Sequence, residues 1–150
     1  MDVYSKREAH ARHDILLENY YKKLQIEARV MGEMVNNVII PAAISYQTDL
    51  IENVKGLKEI GLGKEAYTAQ LDFISKISEH INSIGADVRA MVDERKKANV
   101  IEDTREKAIA YDENVKSHFE QIRYHVDKLE QVVADNKWPL PKFRELLFIK

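Results

Sequence analysis

At 150 residues the chain has the size of one ordinary domain, enough to bury a single core and too short for two. Its 23 basic and 25 acidic residues are interspersed and sum to a net charge of -2, so no basic field exists for phosphates or anionic lipid, which argues against nucleic-acid and membrane partners. No apolar run approaches a membrane span, charged Asp2, Lys6, Arg7 and Glu8 crowd the start where a signal peptide needs apolar residues, and cysteine is absent; the reading is a soluble, cytoplasmic protein without disulfides or thiolate chemistry.

Only five glycines and three prolines interrupt a composition rich in helix formers, which predicts few, long helices and an all-α fold. Ser5 and Glu8 form a capping box that starts the first helix near Lys6. From there Leu16, Tyr20, Leu24, Ala28, Met31, Val35, Val38 and Ala42 recur at three and four, and Tyr46, Leu50, Val54 and Leu57 continue the stripe. Pro41 falls inside this run, where it removes a donor and crowds the carbonyl one turn back. Because the stripe keeps its phase, the expectation is one helix over 6–60, kinked at Pro41, with Gly61-Leu62-Gly63 as cap and turn.

The second helix is predicted over 64–97 on the stripe Tyr67, Leu71, Ile74, Ile77, Ile81, Ile84, Val88 and Met91. The third is predicted over 103–134 on Ala108, Tyr111, Val115, Phe119, Ile122, Val126, Leu129 and Val133. Residues 136–150 form a short tail, extended through Pro139 and Pro141 and ending on an apolar run from Phe143. Short connections make sequential helices antiparallel, so residues 1–150 read as a single domain, a bundle of three long antiparallel helices. The later two are each about 50 Å long and the first roughly 80 Å. Residues 6–26 are thus expected to overhang, displaying Ile15, Leu16, Tyr20, Tyr21 and Leu24 as a partner contact. Trp138, with Phe143 and Leu147 behind it, is expected to dock the rigid tail onto the bundle, the end near Gly61 being the nearest surface.

Catalytic motifs are missing. No histidine follows a glutamate at the Glu-x-x-His spacing of carboxylate-bridged metal enzymes, and there is no phosphate loop, nucleophile elbow or His-Glu-x-x-His. His10 and His13 read as a surface pair, and His118 and His125 as boundary residues beside the third stripe rather than a ligand or proton-relay pair. Glu27, Glu33, Glu52, Asp72, Glu79 and Asp87 read as solvated faces between apolar stripes, and Met31 and Met34 as core filler. No catalytic, cofactor-binding or metal residue is assigned; the chain reads as structural, in service of something larger, against two alternatives, a free-standing helical interaction module and a helical-bundle metalloenzyme using His118, His125 and acidic neighbours.

Two stretches carry a family resemblance. Ile26-Glu27-Ala28 with Met31, Met34, Ile39, Pro41 and Ala42 resembles a helix in the C-terminal region of type III glutamine synthetases, the large bacterial form. Asp127-Lys128-Leu129-Glu130 followed by Trp138-Pro139-Leu140-Pro141-Lys142-Phe143-Arg144-Glu145-Leu146-Leu147-Phe148 is similar to the C-terminus of those enzymes. The resemblance implies a noncatalytic domain of an ATP-dependent glutamate–ammonia ligase that forms glutamine through a glutamyl phosphate in a ring-shaped homo-oligomer. ATP, magnesium and every catalytic residue would belong to the upstream catalytic region, which would also be this chain's partner.

Overall fold

The computed structural model of the chain describes residues 5–146, without the side chains of Phe143 and Arg144. Every regular element among the described residues is helical. Contacts divide the chain into two compact units, Met1–Gly32 with Asp87–Gln121 (unit 1) and Glu33–Ala86 with Ile122–Lys150 (unit 2). Each predicted long helix contributes residues to both.

The first helix starts as its sequence requires. The Ser5 backbone N–H donates to Glu8 Oε2 at 2.7 Å and the Glu8 N–H returns to Ser5 Oγ at 3.3 Å, so two otherwise unpaired amides are satisfied. Helix α1 runs over Lys6–Met34, a π-helical turn follows over Val35–Ile39, and α2 runs over Ile40–Glu59. Pro41 lies in the first turn of α2, and the Ile40 N–H reaches back to the Val35 carbonyl. The helix thus absorbs its proline with a wider turn just upstream, where one extra residue rotates the register. The buried positions accordingly become Val35, Ile39 and Ala43, while Val38 and Ala42 of the expected stripe are half-buried.

The α2 terminus is a left-handed cap. Gly61 adopts φ +86°, its N–H donates to the Lys58 carbonyl at 3.0 Å and the Leu62 N–H to the Leu57 carbonyl at 3.1 Å, the crossed pair that closes a helix on glycine. Open space surrounds a Cβ at this position, so conformation alone sets the effect of substitution. Gly61→Ala is expected to destabilise unit 2 by about 1 kcal/mol through its positive φ, read as a shift in a urea midpoint at constant slope.

A 3₁₀ turn over Lys64–Tyr67 leads into α3 over Thr68–Asn99. The third helical run is α4 over Thr104–Ala110, a π turn over Tyr111–Val115, a 3₁₀ turn over Lys116–His118 and α5 over Phe119–Val132. Asp103 caps α4 by accepting the Glu106 N–H at 2.8 Å. The π turn adds a residue and the 3₁₀ turn tightens the helix again, so Ala108, Tyr111, Val115, Phe119, Ile122, Leu129 and Val133 of the stripe stay buried and Val126 is half-buried.

Within unit 1, α1 pairs with the end of α3. Gln25 Nε2 donates to Asn99 Oδ1 at 3.3 Å, and a Cβ on Gly32 would lie 3.8 Å from Val88 and Met91 side-chain atoms; rising numbers on one helix meet falling numbers on the other, so they are antiparallel. Within unit 2, Gln47 Nε2 donates to the Ile74 carbonyl at 2.9 Å and to Ser78 Oγ at 2.6 Å, while Gln70 Nε2 donates to Asn53 Oδ1 at 3.0 Å. The same ordering makes α2 and α3 antiparallel. A final short helix, α6, spans Phe143–Leu146.

Candidate functional site

The expected overhang is shorter than helix lengths alone suggest. Beyond α3, the connection over 100–103 and the first turns of α4 extend unit 1 further along α1, bringing Tyr111 and Asp112 against Tyr20 and Tyr21. The Tyr20 hydroxyl donates to Asp112 Oδ1, and Lys116 Nζ lies 3.5 Å from the same carboxylate oxygen. That hydrogen bond holds Asp112 below the usual aspartate range and raises the Tyr20 phenol. Tyr21 stacks on Tyr111 with ring centroids 5.9 Å apart, Lys107 Nζ sits 5.4 Å from the Tyr21 ring centre, and Leu24 is buried.

Tyr20, Tyr21 and Leu24 are therefore held by contacts inside unit 1, while Ile15 and Leu16 stay exposed at 56% and 68%. Ile26 and Val30 are also exposed, and Ile15, Ile26 and Val30 are spaced close to whole helical turns, so they project from neighbouring positions around α1. Sequence reasoning passed over Ile26 and Val30 as surface ligands because it followed the buried stripe. Two shallow clefts border this region. One of about 350 Å³ is lined by Leu17, Tyr20, Ala108, Ile109, Asp112 and Glu113, and one of about 290 Å³ by Lys6, Ala9, His10 and His13.

In unit 2 the tail is anchored through Trp138, which is 7% exposed, and its backbone N–H donates to the Ala134 carbonyl at 3.1 Å. The neighbouring Lys137 Nζ donates to Ser45 Oγ at 3.2 Å and pairs with Asp49 at 3.2 Å. The segment thus lies along the middle of α2 rather than at the Gly61 turn, which is exposed. Lys142 folds its ammonium onto the Val133 carbonyl at 2.5 Å and the Asp135 carboxylate at 2.8 Å, satisfying a carbonyl that the end of α5 leaves open. Leu147 and the side chain of Phe143 lie outside the described residues.

His125 meets His80 of α3 rather than His118, with Nδ1 atoms 3.0 Å apart. The missed signal was His80 itself, one residue before Ile81 of the second stripe and so at the edge of a buried face. Glu33, Glu52, Asp72 and Glu79 are exposed, and Glu27 and Asp87 are half-buried. Among the described residues no group of three or more His, Asp or Glu converges as a metal site, and no buried side-chain nitrogen or oxygen lacks a hydrogen-bond partner.

Polar groups that cap helices or join one helix to another, around cores of aliphatic and aromatic side chains, define a helical packing domain. Residues 1–58 match the family described as the glutamine synthetase C-terminal domain. Over 99% of its length the chain is 43% identical to a glutamine synthetase of Bacteroides fragilis (strain YCH46), covering 21% of that protein. It is 26% identical to the type-3 glutamine synthetase of Dictyostelium discoideum across 99% of the chain and 25% identical to a glutamine synthetase of Butyrivibrio fibrisolvens across 97%, again covering 21% of each. The chain thus spans about a fifth of the length of the curated relatives it matches. Residues 1–58 thus belong to the glutamine synthetase C-terminal domain family, and the rest of the chain aligns with the same relatives.

Proposed function

We propose that this chain is the noncatalytic helical domain of a type III glutamate–ammonia ligase, packing on the catalytic region of the same polypeptide and supporting its homo-oligomeric assembly in the cytoplasm. The observation that carries this reading is the alignment of nearly the whole chain with about a fifth of each relative. Binding of ATP and magnesium and the formation of glutamine would then fall to the remainder of the polypeptide. The exposed apolar side chains Ile15, Leu16, Ile26 and Val30 of α1 supply a surface for such packing, since apolar groups at neighbouring helical positions gain most from being covered.

Deleting these 150 residues from the full polypeptide tests the role. Sedimentation is expected to show the assembled species replaced by smaller ones, with glutamine formation falling in parallel, because subunits of an obligate assembly draw stability from their contacts. Normal assembly and turnover of the deleted protein would refute it. Isolation of the native product as a free 17.4 kDa chain would favour an independent interaction module instead.

A further inference from the structure

Apart from the aromatic stack of Tyr21 on Tyr111 and the cation over it, amides, hydroxyls and charged groups make the side-chain contacts between helices described above; one further contact joins two imidazoles. His80 of α3 and His125 of α5, both in unit 2 and half-buried, place their Nδ1 atoms 3.0 Å apart with ring centroids 5.3 Å apart. The difference between those distances is close to twice the separation of an imidazole's centre from its nitrogen. Both nitrogens therefore lie near the line that joins the ring centres, and each in-plane lone pair points at the opposite ring.

Two bare lone pairs would repel at this separation, so a hydrogen lies between them, and since a neutral imidazole carries one N–H and one bare nitrogen, one ring donates Nδ1–H to the other. A metal shared by both rings would need lone pairs converging off that line at about 2.0–2.1 Å from each nitrogen. Among the described residues no cluster of three or more His, Asp or Glu is present to complete such a shell. The geometry suits a proton.

We propose that His80 and His125 form a single-proton latch between α3 and α5, which holds while the two rings share one Nδ1 hydrogen and opens when acidification places a hydrogen on both. The proton count dictates this behaviour. In the neutral pair the donor ring has a bare Nε2 outside the contact, and a first added proton lands there, leaving the contact in place and making its hydrogen bond charge-assisted. A second has only the acceptor ring's Nδ1 to occupy. Two N–H donors and two positive charges then face each other, and the rings must separate.

The surroundings act in the same sense. Burial first, then the positive charge His125 gains on protonation, hold His80 below the usual histidine range; Lys128 of α5 adds to this and Glu79 of α3 opposes it. Tyr124 of α5 sets its ring edge-on to His125 at 5.1 Å, with Lys128 Nζ 5.5 Å from the Tyr124 ring centre. The α2 side chain that bonds to this stretch of α3, Gln47, is a neutral amide. For a base with a lowered folded pKa the unfolded state binds its proton first. The contact's contribution is therefore complete above the ordinary histidine value of 6.5 and is lost as pH falls below it.

The latch is tested by hydrogen–deuterium exchange by mass spectrometry on the full polypeptide, at about pH 7.5 and about pH 5 with correction for intrinsic exchange, following peptides around His80 and His125. Acidification is expected to reduce their protection about tenfold in the wild-type protein, with the loss abolished in His80→Gln and in His125→Gln, whose amides do not titrate. Equal protection at both pH values in the wild type would overturn the proposal, and so would an acid-induced loss that persists undiminished in either variant.

Discussion

Trp138→Ala is expected to destabilise unit 2 by about 3–5 kcal/mol, the usual cost of emptying a large aromatic site. Trp138 is the chain's one tryptophan and is held at 7% exposure by a segment that cannot follow it inward, because Pro139 and Pro141 fix the backbone on its far side. Collapse around the missing ring would also disturb Lys137 and Lys142, whose ammonium groups are positioned by the same turn against Asp49 and Asp135. Trp138→Phe keeps much of the apolar volume and is expected to cost less than half as much. Guanidinium titrations followed by circular dichroism would measure both. In the wild type the same titration followed by tryptophan fluorescence reports on unit 2 alone. An alanine variant within about 1 kcal/mol of wild type would show that the tail rests on the surface without contributing to the core.

The three long helices and most of their buried stripes could be read directly from periodicity, because residues such as Ile77, Ile84, Val88 and Met91 of α3, or Tyr111, Phe119, Ile122 and Leu129 of the third run, lie at helical spacing with no competing pattern. The caps at Ser5 and Gly61 followed from local chemistry, since each solves a backbone hydrogen-bond problem within a few residues of itself, whereas the Asp103 cap emerged only with the structure. What stayed hidden was register. A π turn carries no distinctive residue, and the one over Val35–Ile39 moved the core from Val38 and Ala42 to Ile39 and Ala43. The turn over Tyr111–Val115 was equally silent, since the 3₁₀ turn behind it restored the phase.

The residues proposed to face a partner were harder for a related reason. Tyr20, Tyr21 and Leu24 share the stripe of Ile15 and Leu16, and only the reach of α4 decides where along that stripe intramolecular contact ends. The imidazole pair depended on a longer-range coincidence: His80 and His125 are 45 residues apart, and neither has a neighbour in sequence that announces the other. In contrast, the family could be read from the Trp-Pro tail and the Pro41 helix, whose residue identities exceed what packing alone requires.

In unit 1 the corresponding keystone is Tyr111, and Tyr111→Ala is expected to cost about 3–5 kcal/mol there. Its side chain is fully buried, stacks on Tyr21 and donates its hydroxyl to Asn99 Oδ1, which also accepts from Gln25 at 3.3 Å. The burial that raises the Tyr111 phenol keeps it protonated, so it remains a donor across the working pH range. Tyr111→Phe separates the two contributions. It retains the stack and the volume, and Asn99 keeps Gln25 as a donor, so the loss should be about 1 kcal/mol. Denaturant titrations of the three proteins would give the ratio. If phenylalanine cost as much as alanine, the hydrogen bond to Asn99 and not the packing of the ring would hold α4 against α3. A loss near zero for phenylalanine with the full loss for alanine would assign the stability of unit 1 to aromatic packing, with the Asn99 amide serving to set helix register.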